Sequence, residues 1–110
     1  MIVANDLLTR IDNTLDHIKD NASGVYGNII DLAYYTANYI TFVERAFDYE
    51  YIDRAERGKY YGKLYDALYS YLETITYLKQ SNSELGSISN ALAGLAKGTV
   101  SVEDALDTLR

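Results

Sequence analysis

The sequence predicts an all-α fold: a compact antiparallel bundle of four to five helices that ends in a helical hairpin. Apolar residues recur at spacings of three and four along most of the chain, which is typical of helices with a buried face. No two alternating segments flank a hairpin turn, so the sequence offers no pair of strands. With 110 residues, of which 48% are apolar, we expect a single all-helical domain over residues 1–110 with a small core.

The first helix is predicted over residues 4–20, with Asn5 as its cap. Its apolar positions follow helical spacing and are Leu7, Leu8, Ile11, Leu15 and Ile18. The segment 21–27 is predicted to be a turn because Gly24 and Gly27 interrupt helices.

The second helix is predicted over residues 28–47 and is apolar on two sides. One apolar stripe comprises Ile30, Ala33, Ala37, Ile40, Val43 and Phe47. The other stripe comprises Leu32, Tyr35, Tyr39, Phe42 and Ala46. A helix with two apolar sides is usually covered by several neighbours, so we expect this helix at the centre of the bundle.

The third helix is predicted over residues 53–80. Its buried stripe comprises Tyr61, Leu64, Leu68, Tyr71, Leu72, Ile75 and Leu78. Gly58 and Gly62 lie near its start, and each costs about 1 kcal/mol of helix propensity relative to alanine. A second helix that approached closely at this point would explain that cost, so the glycine pair predicts a close helix–helix contact.

The C-terminal hairpin is predicted from its capping residues. Ser81 and Glu84 have the spacing of a capping box at the start of a fourth helix, and Gly98 is expected to end that helix. The inward residues of the fourth helix are predicted to be Leu85, Ile88, Leu92 and Leu95. Ser101 then caps a short fifth helix, with Asp104 three residues further on.

The segment FDYEYID, residues 47–53, alternates apolar and acidic side chains, which is the pattern of a half-buried strand. A lone strand here would leave its backbone amides and carbonyls without partners. We therefore interpret the segment as the junction of the second and third helices, or as part of one long bent helix. In helical geometry its aromatic and acidic side chains intermingle around the surface.

The residue types that support catalysis and cofactor binding are scarce. The chain has no cysteine, which excludes disulfides and thiolate metal sites. Its one histidine, His17, cannot supply the two Glu-x-x-His elements of a di-metal site. The segment 86–94 lacks the lysine of a phosphate-binding loop. We therefore predict a protein that is not an enzyme and holds no metal or cofactor, and an unrecognised carboxylate-dependent enzyme is the open alternative.

The charge balance constrains partners and location. A net charge of −6 disfavours direct binding of nucleic acid or of an anionic membrane. No apolar stretch is long enough to cross a bilayer, and residues 1–10 lack the features of a signal peptide. Because the chain also lacks cysteine, we expect a cytoplasmic protein.

Two acidic groups, the second of them with tyrosines, are the candidate functional residues. Three aspartates in the first helix are spaced four residues apart, at intervals of roughly 6 Å, which resembles the spacing of phosphates along a nucleic-acid strand. Tyrosine is enriched at interface hot spots, and acidic residues complement a basic partner. The predicted partner-binding residues are Asp12, Asp16, Asp20, Glu44, Asp48, Tyr49, Glu50, Tyr51 and Asp53. For the three aspartates, a solvated helix face is the alternative.

In size, charge and composition, the chain resembles small phage-encoded inhibitors, including anti-CRISPR proteins and other nucleic-acid mimics. The resemblance covers the whole chain and involves no motif. It implies a protein partner in the host cytoplasm whose basic nucleic-acid-binding surface is blocked by carboxylates in place of phosphates. The alternative is a self-associating structural or regulatory module, a homodimer formed through the helix 28–47 and the pair Gly58 and Gly62.

Overall fold

The computed structural model describes residues 2–20, 25–70, 72 and 83–110, and these residues form five helices and no strand. The helices are α1 (Ile2–Lys19), α2 (Val25–Asp48), α3 (Arg54–Ser70), α4 (Ser83–Lys97) and α5 (Val102–Leu109). The chain folds into a bundle of 41 × 24 × 21 Å with a radius of gyration of 13.3 Å. The predicted all-α bundle is therefore confirmed.

Helices α1 and α2 pack against each other, and only the five residues 20–24 join them, which is too short a connection for two adjacent helices that run in the same direction. The guanidinium of Arg10 in α1 lies 5.7 Å from the centre of the Tyr35 ring in α2, so this part of α1 lies beside the middle of α2. Helix α2 also contacts α3, α4 and α5, so it occupies the central position that its two apolar sides predict. The largest fully buried side chains are Tyr39, Ile11, Leu15, Ile18, Ile29, Leu32, Ile40, Leu64, Leu68, Leu92 and Leu95.

Two residues predicted to face the core from α2 instead face solvent. The side chains of Ile30 and Phe42 are 57% and 40% exposed, while Ile29 is fully buried. Helix α2 begins at Val25, so Gly27 lies inside the helix and does not end the preceding turn. A spacing pattern shows which residues share a face, but the neighbouring helices decide which part of that face is covered.

No described helix approaches the pair Gly58 and Gly62 closely. A Cβ atom placed at either glycine would have no heavy atom of the described residues within 4 Å outside its own helix backbone, so the predicted close contact is absent from the described part of the chain. The close approach occurs at Gly94 in α4, where a Cβ atom would lie 2.7 Å from a methyl carbon of Val100. The predicted third-helix residues 71 and 73–80 lie outside the described residues.

The signals that end α4 and begin α5 are confirmed. Gly98 adopts a left-handed conformation with φ of 73° directly after α4. The Ser101 hydroxyl oxygen accepts a hydrogen bond of 3.1 Å from the amide of Asp104, as expected for a residue that caps α5. Ser81, the predicted start of the fourth-helix capping box, lies outside the described residues.

Candidate functional site

The junction between α2 and α3 is a helix end that reverses the chain, and it is not a strand. The Glu50 amide donates to the Phe47 carbonyl at 3.0 Å, and the Tyr51 amide donates to the Ala46 carbonyl at 2.8 Å. These two hydrogen bonds, with Glu50 at a φ of 62°, form a Schellman motif. The same pair of bonds ends α4, where Gly98 takes the left-handed position.

Glu50 occupies a position that normally belongs to glycine. A side chain in the left-handed region costs roughly 1–2 kcal/mol because its Cβ lies too close to the following carbonyl oxygen. We therefore expect Glu50→Gly to raise the free energy of unfolding by about 0.5–1 kcal/mol, as measured by urea denaturation. Gly98→Ala is the matched control and should lower it by about 1 kcal/mol. A loss of stability in Glu50→Gly would show that the carboxylate stabilises the junction.

The junction presents two exposed tyrosines around a buried anchor. The side chains of Tyr49 and Tyr51 are 73% and 81% exposed. The side chain of Ile52, the next junction residue, is only 6% exposed and belongs to the core. An open depression of about 630 Å³ lies at this end of the bundle. It is lined by Phe47, Asp48, Glu50, Tyr51, Ile52, Asp53 and Glu56.

Two of the four carboxylates around this depression hold the start of α3. The Asp53 carboxylate accepts a hydrogen bond of 2.8 Å from the Glu56 amide, and the Glu56 carboxylate accepts one of 3.3 Å from the Asp53 amide. This reciprocal arrangement is a capping box. The side chains of Asp48 and Glu50 are exposed and form no hydrogen bond or ion pair with any residue that the structure describes. They are therefore the carboxylates available to a partner.

Glu44 is a structural bridge between α2 and α3 and does not belong to the exposed group. Its carboxylate accepts hydrogen bonds from the Arg57 guanidinium at 2.9 Å and from the Tyr61 hydroxyl at 2.7 Å. The Arg57 guanidinium also lies 4.6 Å from the centre of the Phe47 ring. Glu44 is half-buried, and its charge is balanced inside the protein, so little of it reaches the surface.

The pKa shifts around Glu44 agree with this structural role. Burial raises the pKa of the Tyr61 hydroxyl, and the hydrogen bond to Glu44 raises it further. Burial acts to lower the pKa of Arg57, but the hydrogen bond and charge of Glu44 outweigh it and leave the pKa raised. Tyr61 therefore stays a neutral donor and Arg57 a charged one.

The three aspartates of the first acidic group, Asp12, Asp16 and Asp20, form a row that lies far from the junction. Asp12, Asp16 and Asp20 are all exposed, the first two on α1 and the third directly after it. Asp12 follows closely after Arg10, whose guanidinium lies 5.7 Å from the centre of the Tyr35 ring on α2. The junction begins at Asp48, thirteen residues after Tyr35, which is about 20 Å along the helix axis. The two acidic groups therefore form separate surfaces.

The pKa of Asp12 gives a test of the repulsion within this row. Although the Asp12 side chain is exposed, nearby protein atoms exclude part of the water around its carboxyl and raise its pKa above 3.8, and the charge of Asp16 raises the pKa further, so ionised Asp12 is disfavoured in the folded state. We expect Asp12→Asn to raise the free energy of unfolding at pH 7 by about 0.2–0.5 kcal/mol. The gain should disappear as pH falls below 3.8, where the carboxyl is protonated in both states. Denaturation at both pH values tests this, and Asp6→Asn, which has Arg10 four residues on, should show no gain.

His17 is exposed on α1, and the described residues contain no group of three or more histidine, cysteine or acidic side chains placed to hold a metal ion. Among the described helices, none is long and apolar enough to cross a membrane.

The chain matches no known protein-family model, no curated protein and no solved structure.

Two features of the site were missed at the level of sequence. The first is the capping box: the spacing of Asp53 and Glu56 predicts that Asp53 caps α3, unlike Asp48 and Glu50. The roles of Arg57 and Tyr61 depend on Glu44, which is 13 and 17 residues away in sequence. No local pattern predicts contacts at such separations.

Proposed function

We propose that this chain is a non-catalytic protein-binding protein that docks through the junction surface, defined as Asp48, Tyr49, Glu50 and Tyr51 around Ile52. The observation that carries the proposal is the exposure of Tyr49 and Tyr51, at 73% and 81%, beside two carboxylates without partners among the described residues. Tyrosine is one of the residue types enriched at interface hot spots, where it becomes buried against the partner.

The junction surface is suited to binding because its backbone is already ordered. The Schellman motif fixes the chain before Ile52, and the capping box fixes it afterwards. A partner that docks here does not need to order a flexible loop, so less free energy is lost on association. Each tyrosine adds a large contact area and a hydroxyl at a low cost in side-chain entropy.

The chemistry of the surface favours a basic partner. Asp48 and Glu50 can pair with lysine or arginine side chains, and a net charge of −6 speeds encounter with a positive surface. A nucleic-acid-binding groove combines such positive charge with surfaces on which aromatic rings stack. We propose that the partner is of this kind and that the chain inhibits it by occupying the groove. The likeness in size and composition to phage-encoded inhibitors, including anti-CRISPR proteins, supports the same proposal.

The aspartate row supports mimicry at a second place. Asp12, Asp16 and Asp20 follow one another at roughly the spacing of phosphates. Partial desolvation and the nearby Asp16 raise the pKa of Asp12, and a basic partner would relieve the repulsion between the two carboxylates. Because the contact of α1 with Tyr35 lies about 20 Å from the junction along the α2 axis, a partner would have to be extended to contact both surfaces.

Charge reversal tests this function. The proteins retained from a source-cell lysate by the chain are purified, and their binding to labelled nucleic acid is measured with and without added chain. We expect the chain to displace nucleic acid, and we expect the double variant Asp48→Lys, Glu50→Lys to do so at least tenfold less well. Both substituted side chains are exposed, so the free energy of unfolding should change by no more than about 0.5 kcal/mol. If the double variant displaces nucleic acid as well as the wild type does, the junction surface is not the docking site.

Self-association is the second candidate, and a different part of the molecule favours it. The pair Gly58 and Gly62 remains open to a second copy, because no heavy atom of the described residues outside their own helix backbone lies within 4 Å of a Cβ placed at either residue. An apolar groove beside α2 supports it, through the residues described next.

A further inference from the structure

A second open groove lies between α2, α4 and α5, with a volume of about 540 Å³. Eleven residues line it, and those on α2 are Ile30, Ala33, Tyr34, Ala37, Asn38 and Thr41. No carboxylate side chain is among the eleven, and Arg110 at one end is the one charged side chain of this set. In a chain with a net charge of −6, a groove without acidic side chains differs from the rest of the acidic surface.

The α2 side of the groove alternates protruding and small residues. Ile30 and Tyr34 are one turn apart and are 57% and 62% exposed. Ala33 and Ala37 lie beside them, are only 3% and 9% exposed, and form part of the floor of the groove. An isologous dimer brings the same patch of both copies together, and protruding side chains beside a floor of small residues can supply both halves of such a contact.

We propose that a second copy of this chain occupies the groove. The two α2 helices cross about a two-fold axis, and each copy inserts Ile30 and Tyr34 beside Ala33 and Ala37 of the other. Charge favours this occupant at the groove itself: two copies of net charge −6 meet there without a carboxylate side chain of one groove lining facing a carboxylate side chain of the other. A basic partner gains no ion pair from a groove that no acidic side chain lines, whereas it does gain them at the junction surface.

The proposed dimer leaves the junction surface free. Thr41, the last groove residue on α2, precedes Tyr49 by eight residues, which is about 12 Å along the helix. Eleven lining residues are fewer than the roughly 20–30 per side of a standard interface, so we expect a weak and reversible dimer. Such a dimer would present two junction surfaces, and its failure would not affect the proposed function.

Sedimentation equilibrium over a hundredfold range of protein concentration tests the dimer. The wild type should pass from monomer to dimer, and Tyr34→Glu should raise the dissociation constant at least tenfold. Tyr69→Glu is the matched control, because Tyr69 has the same 62% exposure but lies outside the groove, on α3. It should leave the dissociation constant unchanged. A wild type that stays monomeric throughout, or two variants with equal effects, would overturn the proposal.

A single introduced cysteine gives a second, independent readout. The chain has no cysteine, so a thiol placed at Asn38 can form a disulfide only with another copy. Under a mild added oxidant, Asn38→Cys should form covalent dimers at least tenfold faster than Tyr69→Cys. Equal rates for the two variants would mean that the groove faces of two copies do not meet.

Discussion

Replacing both Tyr49 and Tyr51 with alanine should weaken binding of the basic partner by at least a hundredfold, or about 2.7 kcal/mol. Both side chains are more than 70% exposed, at 73% and 81%, so they contribute little to the core. In a complex they would bury large aromatic surfaces around Ile52, and truncation would remove those contacts. The free energy of unfolding should change by no more than about 0.5 kcal/mol. Titration calorimetry and urea denaturation measure the two quantities.

Two control variants test whether binding depends on the junction tyrosines or on any exposed tyrosine. Tyr34→Ala and Tyr69→Ala remove side chains that are each 62% exposed and lie away from the junction surface. Neither substitution should change the affinity for the basic partner by more than about twofold. If either control weakens binding as much as the double variant, the junction surface is not the docking site.

The largest expected change in stability comes from Tyr39, which joins α2 to α3. Its side chain is fully buried, and its hydroxyl donates a hydrogen bond of 2.6 Å to the Tyr60 carbonyl. Tyr39→Ala should lower the free energy of unfolding by about 3–5 kcal/mol, because it leaves a cavity of aromatic size. Tyr39→Phe keeps the ring and should cost only about 1 kcal/mol, the net value of a typical hydrogen bond.

The comparison of these two variants shows which term dominates at Tyr39. Burial raises the pKa of the Tyr39 hydroxyl, and the nearby Tyr60 raises it further, so the group remains a neutral donor through the physiological range. Chemical denaturation at neutral pH therefore reports packing and the hydrogen bond without a change of charge. If Tyr39→Phe were as damaging as Tyr39→Ala, the hydrogen bond would outweigh the packing of the ring, contrary to our account.

Local signals in the sequence predicted the parts of the fold that depend on neighbouring residues. Gly98 and Ser101 mark the boundaries of α4 and α5 because capping involves residues within one turn of each other. The unpaired backbone of a lone strand led us to interpret residues 47–53 as a helix junction or as part of one bent helix, and the structure has the junction, with α2 ending at Asp48 and α3 beginning at Arg54. The left-handed conformation at Glu50 was not predicted, because glycine usually marks that position.

Features that depend on distant residues could not be predicted. Ile30 and Phe42 fit the apolar spacing of α2, but no described neighbour covers them, so they remain exposed. Glu44 belongs to the same acidic sequence region as Asp48, but Arg57 and Tyr61 of α3 engage it. The sequence therefore predicts which residues share a helix face, whereas packing decides which of those residues remain available to a partner.

Amide hydrogen exchange of the chain, alone and in complex with its purified basic partner, tests the central claim most directly. We expect the amides of residues 48–52 to exchange more slowly in the complex than in the free chain, and the amides of α4 and α5 to exchange at nearly the same rate in both. Protection confined to α4 and α5, with unchanged exchange at residues 48–52, would contradict it.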